Sequence, residues 1–171
     1  MRTLQLQSLA KAVTLALVLA GAGAGMGIGV ASAQAQTHAH DGPDAVKLQL
    51  DAGRKWATDE PLRTGMSRIR GLVAPQLGAA HAGKLSAAQY AALASSIENE
   101  VAGIVANCKL EPKADAMLHV VIMEIGTGTD AMAGKTPGVA PAEGLVHVAT
   151  AVNEYRRFFQ HPGLAAIPVA H

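Results

Sequence analysis

The sequence predicts an all-α protein: an antiparallel up-down-up-down four-helix bundle behind a cleaved signal peptide and a flexible tail. Three observations predict it. Four stretches after residue 57 repeat apolar residues at three- and four-residue spacing, the mark of one buried helical face. The connections between them are mostly short or marked by Gly and Pro, which lays consecutive helices side by side. No alternating strand pattern competes, apart from Val46, Leu48 and Leu50 in the lead-in.

The first 35 residues lie outside the expected fold. Arg2 and Lys11 precede and enter the apolar run "AVTLALVLAGAGAGMGIGV", and "ASAQA" follows with small residues at cleavage spacing. That order is the signature of a secretory signal peptide. Glycines at every second position from Gly21 to Gly29 make the run a poor membrane-spanning helix. Cleavage is expected after Ala33 or Ala35, leaving a periplasmic chain that meets the membrane only before cleavage. No cysteine stands at the junction, so a lipoprotein is not expected.

Taking Arg2 and Lys11 from the 14 basic residues leaves 12 against 13 acidic ones, a net charge of −1. That balance lacks the basic surface nucleic-acid binding requires. The remaining length, about 136 residues, suits one domain with a real core. Two Phe, two Tyr and one Trp are its only aromatic residues, so Leu, Ile, Val, Ala and Met must fill the interior. A single cysteine excludes an internal disulfide framework.

Residues 36–57 are expected to form a His-containing flexible tail and lead-in, 58–163 the bundle, and 164–171 a C-terminal tail. The first helix opens at Thr58 or Asp59 with Pro61 in its first turn. Leu62, Met66, Ile69 and Val73 form its stripe, and Pro75 and Gly78 are expected to end it before a loop. Ser86 caps the second helix, whose stripe runs Tyr90, Leu93, Ile97, Val101, Ile104 and Cys108. Pro112 marks a short turn. The third helix carries Ala114, Leu118, Val121 and Ile125 on one face. Gly126 and Gly128 weaken its later half by about 1 kcal/mol each relative to Ala. The fourth shows Leu145, Val148, Val152, Tyr155 and Phe159 and stops at "HPG".

In that topology the start of the first helix, the end of the second, the start of the third and the end of the fourth share one pole. At about 1.5 Å per residue, Met66, Cys108, Met117 and His119 all fall near it. Thiolate, thioether and imidazole together suit Cu(I), with Zn(II) second. Cys108, Met66, His119 and Met117 are therefore the expected metal ligands and a copper ion the expected cofactor. The helical angle tempers this set: Met117 and His119 flank Leu118 by about 100° on opposite sides. An unpaired thiol in an oxidising compartment must be hidden, paired across a homodimer or coordinated. His38 and His40 in "THAH" form an accessory capture site by composition. No Gly-x-Ser-x-Gly, His-Glu-x-x-His or phosphate-cradling glycine loop is present, and an enzyme is not expected.

The segments "WATDEPLRTGMSRIRGLV", "IVANCKLEPKADAMLHVVIMEI" and "VNEYRRFFQHPG" resemble a DnrO-like family of small exported proteobacterial proteins. The likeness covers residues 46–163, and Cys-Lys-Leu-x-Pro-x-x-Asp-Ala is its most specific part. The architecture is also similar to the cytochrome b562 and cytochrome c′ bundles. That second likeness implies an alternative cofactor, haem b, gripped by Met66 and His161, with His119 as a substitute axial ligand. His161 departs from the pattern by standing just past the helix, and the Cys-x-x-Cys-His attachment is absent. A ligand-free interaction or dimerisation module is the remaining alternative.

Overall fold

Asp59 starts the first helix in the way its side chain dictates. In the computed structural model, which describes residues 47–169, its backbone is extended and its carboxylate accepts the Leu62 N–H at 3.0 Å. This N-cap, with Glu60 and Pro61 in the first turn, sets α1 (Glu60–Val73). The expected signal peptide, and His38 and His40, lie outside the described residues. All four stripe residues of α1, Leu62, Met66, Ile69 and Val73, are fully buried.

Pro75 and Gly78 do not open a loop as expected. The chain passes through a 3-10 turn (Ala74–Gln76) into a short helix, α2 (Leu77–His81). Proline lacks an N–H and has its φ preset, so it serves the first turn of a new helical segment as well as it ends an old one. Leu77 and Ala80 are buried on α2 and hold it to the core.

Ser86 and Gln89 form a reciprocal capping box at the start of α3 (Ala87–Asn107). That helix ends with Cys108 as its C-cap, the Cys108 N–H bonding back to Ile104 O at 2.8 Å. Pro112, expected as a turn residue, is the first residue of α4 (Pro112–Met132), and Pro141 likewise opens α5 (Pro141–Phe158). The anticipated stripes of α4 and α5 are buried throughout, from Ala114 to Ile125 and from Leu145 to Phe159. On α3, Leu93 and Val101 are half-buried and Ala94 shares the interior with Tyr90, Ile97 and Ile104.

The protein is thus all-α, with four long helices and no strand among the described residues. Two isolated bridges pair Asp51 with Arg54 and Trp56 with Phe159. No helix among those residues is long and apolar enough to cross a membrane. The Trp56 N–H donates to Phe158 O, and the Gln160 N–H donates to Trp56 O, both at 2.8 Å, which ties the lead-in to the end of α5. At the other end of the chain Leu164 and Ile167 are buried against the helices.

The most extensive helix contact is between α4 and α5, and two glycines make it close. A Cβ on Gly144 would stand 2.6 Å from Gly128 O and 2.7 Å from Met132 N. A Cβ on Gly128 would stand 2.6 Å from Val148 Cγ2 and 2.8 Å from Gly144 O. Gly65 does the same service between α1 and α3, where the side chain of Ile104 occupies the space of a Cβ. Gly126, one turn from none of these, faces open space.

These contacts separate the two α4 glycines experimentally. Gly144→Ala or Gly128→Ala forces backbones apart and is expected to lower stability by about 1–3 kcal/mol. Gly126→Ala restores helix propensity with nothing to displace and is expected to raise stability by up to about 1 kcal/mol. Urea midpoints of the three variants check both signs.

Candidate functional site

Cys108 sits where α3 gives way to extended chain, half-buried against the edge of the core. Burial first, then the carboxylates of Asp59 and Asp115, push its thiol above the ordinary range. Asp59 is held rigidly, because it accepts from two elements at once. Its Oδ1 takes the Leu62 N–H on α1, and its Oδ2 takes the Lys109 N–H, just past α3, at 2.6 Å. Asp115, in the first turn of α4, engages His119: its carbonyl oxygen meets Nδ1 at 2.9 Å and its carboxylate lies 3.4 Å from the same nitrogen.

A pocket of about 520 Å³ opens beside Asp59. Trp56, Thr58 and Asp59 form one wall, and Lys109, Glu111 and Ala114 another. The lead-in, the start of α1, the α3–α4 connection and the start of α4 therefore meet at one place, with Asp59 in its wall and Cys108 one residue before Lys109, which also lines it.

The expected sulfur ligands are divided from this group. Met66 is fully enclosed on the α1 stripe, and Met117 is 5% exposed within the same core. Both fill aliphatic space, as an unbranched thioether does well. His119 turns the other way, its side chain 61% exposed. Met123, farther round α4, is 68% exposed. Among the described residues no group of three or more His, Cys, Asp or Glu side chains converges at metal-holding distances.

His161, the expected haem partner of Met66, has both ring nitrogens engaged. Nε2 meets Ser67 Oγ at 3.1 Å on α1, and Nδ1 meets the Tyr155 hydroxyl at 3.1 Å on α5. The imidazole also stands edge-on to the Tyr155 ring, which stacks on Phe159. Burial, then the nearby Arg63 guanidinium, lowers the imidazole below its usual range, and burial pushes the Tyr155 phenol up. Sequence spacing carries no sign of this hydroxyl–imidazole–hydroxyl chain, since Ser67 and His161 are 94 residues apart.

His147 pairs with Glu124 at 2.7 Å across α4 and α5. The pair borders a second groove of about 370 Å³ floored by Leu48, Val120 and Val121.

No family model, no curated protein and no solved structure matches this chain.

Two outcomes follow from the titrating groups. A histidine whose folded pKa is lowered favours the neutral form in the folded state. Its full stability contribution is present above the unfolded value, about 6.5, and is lost as pH falls below it. Stability measured by urea unfolding is expected to drop from pH 7 to pH 5, with a shallower drop in His161→Gln. The raised thiol makes Cys108 slow to alkylate at pH 7.5, and Asp115→Asn, which removes one nearby negative charge, is expected to speed its reaction with iodoacetamide.

Proposed function

We propose that this chain is an exported, periplasmic metal-handling protein that buffers or passes on an ion rather than catalysing a reaction. Copper is the ion its donors suit first and zinc the competitor. The ion is captured at the surface of the Cys108 pole, with Cys108 and His119 as the sequence-anticipated ligands and Asp59 and Asp115 beside them. One observation carries the reading: a lone thiol lies in the field of two carboxylates, one of which holds an imidazole.

The physics of that arrangement favours a cation. Negative charges that oppose a thiolate in the empty protein attract a metal ion, and the ion in turn lowers the thiol pKa and makes it a ligand. A soft thiolate beside an imidazole suits Cu(I), whereas the carboxylates also tolerate zinc. Met66 and Met117 enter this reading as core residues beneath the pole. His38 and His40 supply a separate, weaker capture site. Haem is the weaker alternative, because His161 would have to release a bond to Ser67 or Tyr155 and Met66 would have to leave its packing.

The reading also takes the helices to run up-down-up-down. Gly65 near the start of α1 lies under Ile104 near the end of α3, and Gly128 late in α4 lies on Gly144 early in α5. Both juxtapositions support an antiparallel order, which gathers the Cys108, Asp115 and Asp59 segments at one end.

Protein purified from the periplasm without an affinity tag is expected to bind one equivalent of copper that Cys108→Ser abolishes. His119→Ala is expected to weaken it by about tenfold or more. Met66→Leu is expected to leave it unchanged. Metal content below one equivalent and indifferent to Cys108→Ser removes the proposal, and loss in Met66→Leu moves the ion into the core.

A further inference from the structure

Packing accounts for every described methionine but one. Met66, Met117 and Met132 are enclosed in the core, whereas Met123 is the most open of the large apolar side chains described. It stands on α4 one turn after His119, which is itself mostly in solvent, and two turns after Asp115. The run "HVVIM" therefore presents an imidazole and a thioether on one outward helical face.

The contact with Asp115 decides which nitrogen of His119 is available. A backbone carbonyl oxygen only accepts, so Nδ1, 2.9 Å from Asp115 O, carries the proton in the neutral ring. Nε2 then holds the free lone pair. A ring fixed through one nitrogen to a carbonyl or carboxylate, with the other nitrogen open, is how metal-binding histidines are oriented. Helical residues at i and i+4 have Cβ atoms about 5–6 Å apart. At that spacing two side chains close on a single ion, as the paired histidines of His-Glu-x-x-His do. Here the second donor is a thioether, which selects a soft ion.

We infer that His119 Nε2 and Met123 Sδ form a surface site for Cu(I) on the outward face of α4. The choice of ion rests on the copper reading above, while the site itself needs neither Cys108 nor the pole pocket. Asp115 holds the ring in place, and its carboxylate, 3.4 Å from Nδ1, adds negative charge beside the ion. Two protein donors leave the remaining coordination positions open to water or to an incoming donor. The ion is therefore exchanged at this face, and it is lost on purification and regained from added metal. Zn(II), served by nitrogen, oxygen and thiolate donors, gains nothing from Met123.

The test uses protein purified from the periplasm with Cys108→Ser, which removes the pole site, and with its methionine methyl groups labelled for NMR. Ag(I), a redox-inert stand-in for Cu(I), is titrated in. The Met123 methyl signal is expected to shift and saturate, while those of Met66, Met117 and Met132 stay in place. Reading this one signal sets aside any ion held at His38 or His40. His119→Ala, at an exposed position, is expected to raise the Ag(I) concentration at half-shift by about tenfold or more. Met123→Leu is expected to do the same to the shift of the His119 ring protons. A Met123 methyl that ignores Ag(I), or that responds equally in His119→Ala, overturns the inference. Zn(II) that moves the signal as far as Ag(I) overturns the choice of ion. Wild-type copper that vanishes in Cys108→Ser beside a silent Met123 methyl leaves the pole site alone and rejects this one. A shifting methyl in a chain whose copper content is indifferent to Cys108→Ser removes the pole site and supports this one.

Discussion

The close crossing of α4 and α5 is the constraint from which the remaining packing follows. With so few aromatic side chains, the interior is filled by Leu, Ile, Val, Ala and Met, and small side chains close a core only if the helices come near each other. Gly128 and Gly144 permit that approach, and any side chain there would meet backbone atoms on the opposite helix, which cannot turn aside. Once α5 lies against α4, Val148 and Val152 share the interior with Val121 and Ile125. Gly65 repeats the device on the other side, where Ile104 leans into the space it leaves. The cost in helix propensity at Gly128 is therefore offset by dispersion contacts along the whole crossing.

Much of this architecture was legible in the sequence, and the gaps have physical causes. The stripes of α1, α4 and α5 were plain because burial of one face imposes a 3.6-residue rhythm on the choice of side chain. The purpose of Gly128 was not, since a packing glycine and a merely weakening one look alike until the facing helix is known; Gly126 is the second kind and Gly128 the first. Pro75, Pro112 and Pro141 were ambiguous for a related reason, because proline both ends helices and begins them. Where Leu77 and Ala80 find burial, beginning won.

At the Cys108 pole the sequence located the thiol at the end of an apolar stripe, and the structure leaves it there, half in and half out. Side-chain direction was the harder question. Met117 and His119 straddle Leu118, and a turn of about 100° either way decides between core and solvent. Met117 went in and His119 out, as their polarity favours. The bonds of Asp59 to two separate elements, and of His161 to two helices, depend on contacts between residues about 50 and 94 positions apart, beyond any local pattern.

Trp56 has a consequence of its own. It is the sole indole in the chain, it lines the pole pocket beside Asp59 and Lys109, and its backbone is bonded to Phe158 and Gln160. Its emission band is therefore a built-in optical probe with a single origin. Quenching or a wavelength change would register local solvent entry at that pole without any attached dye.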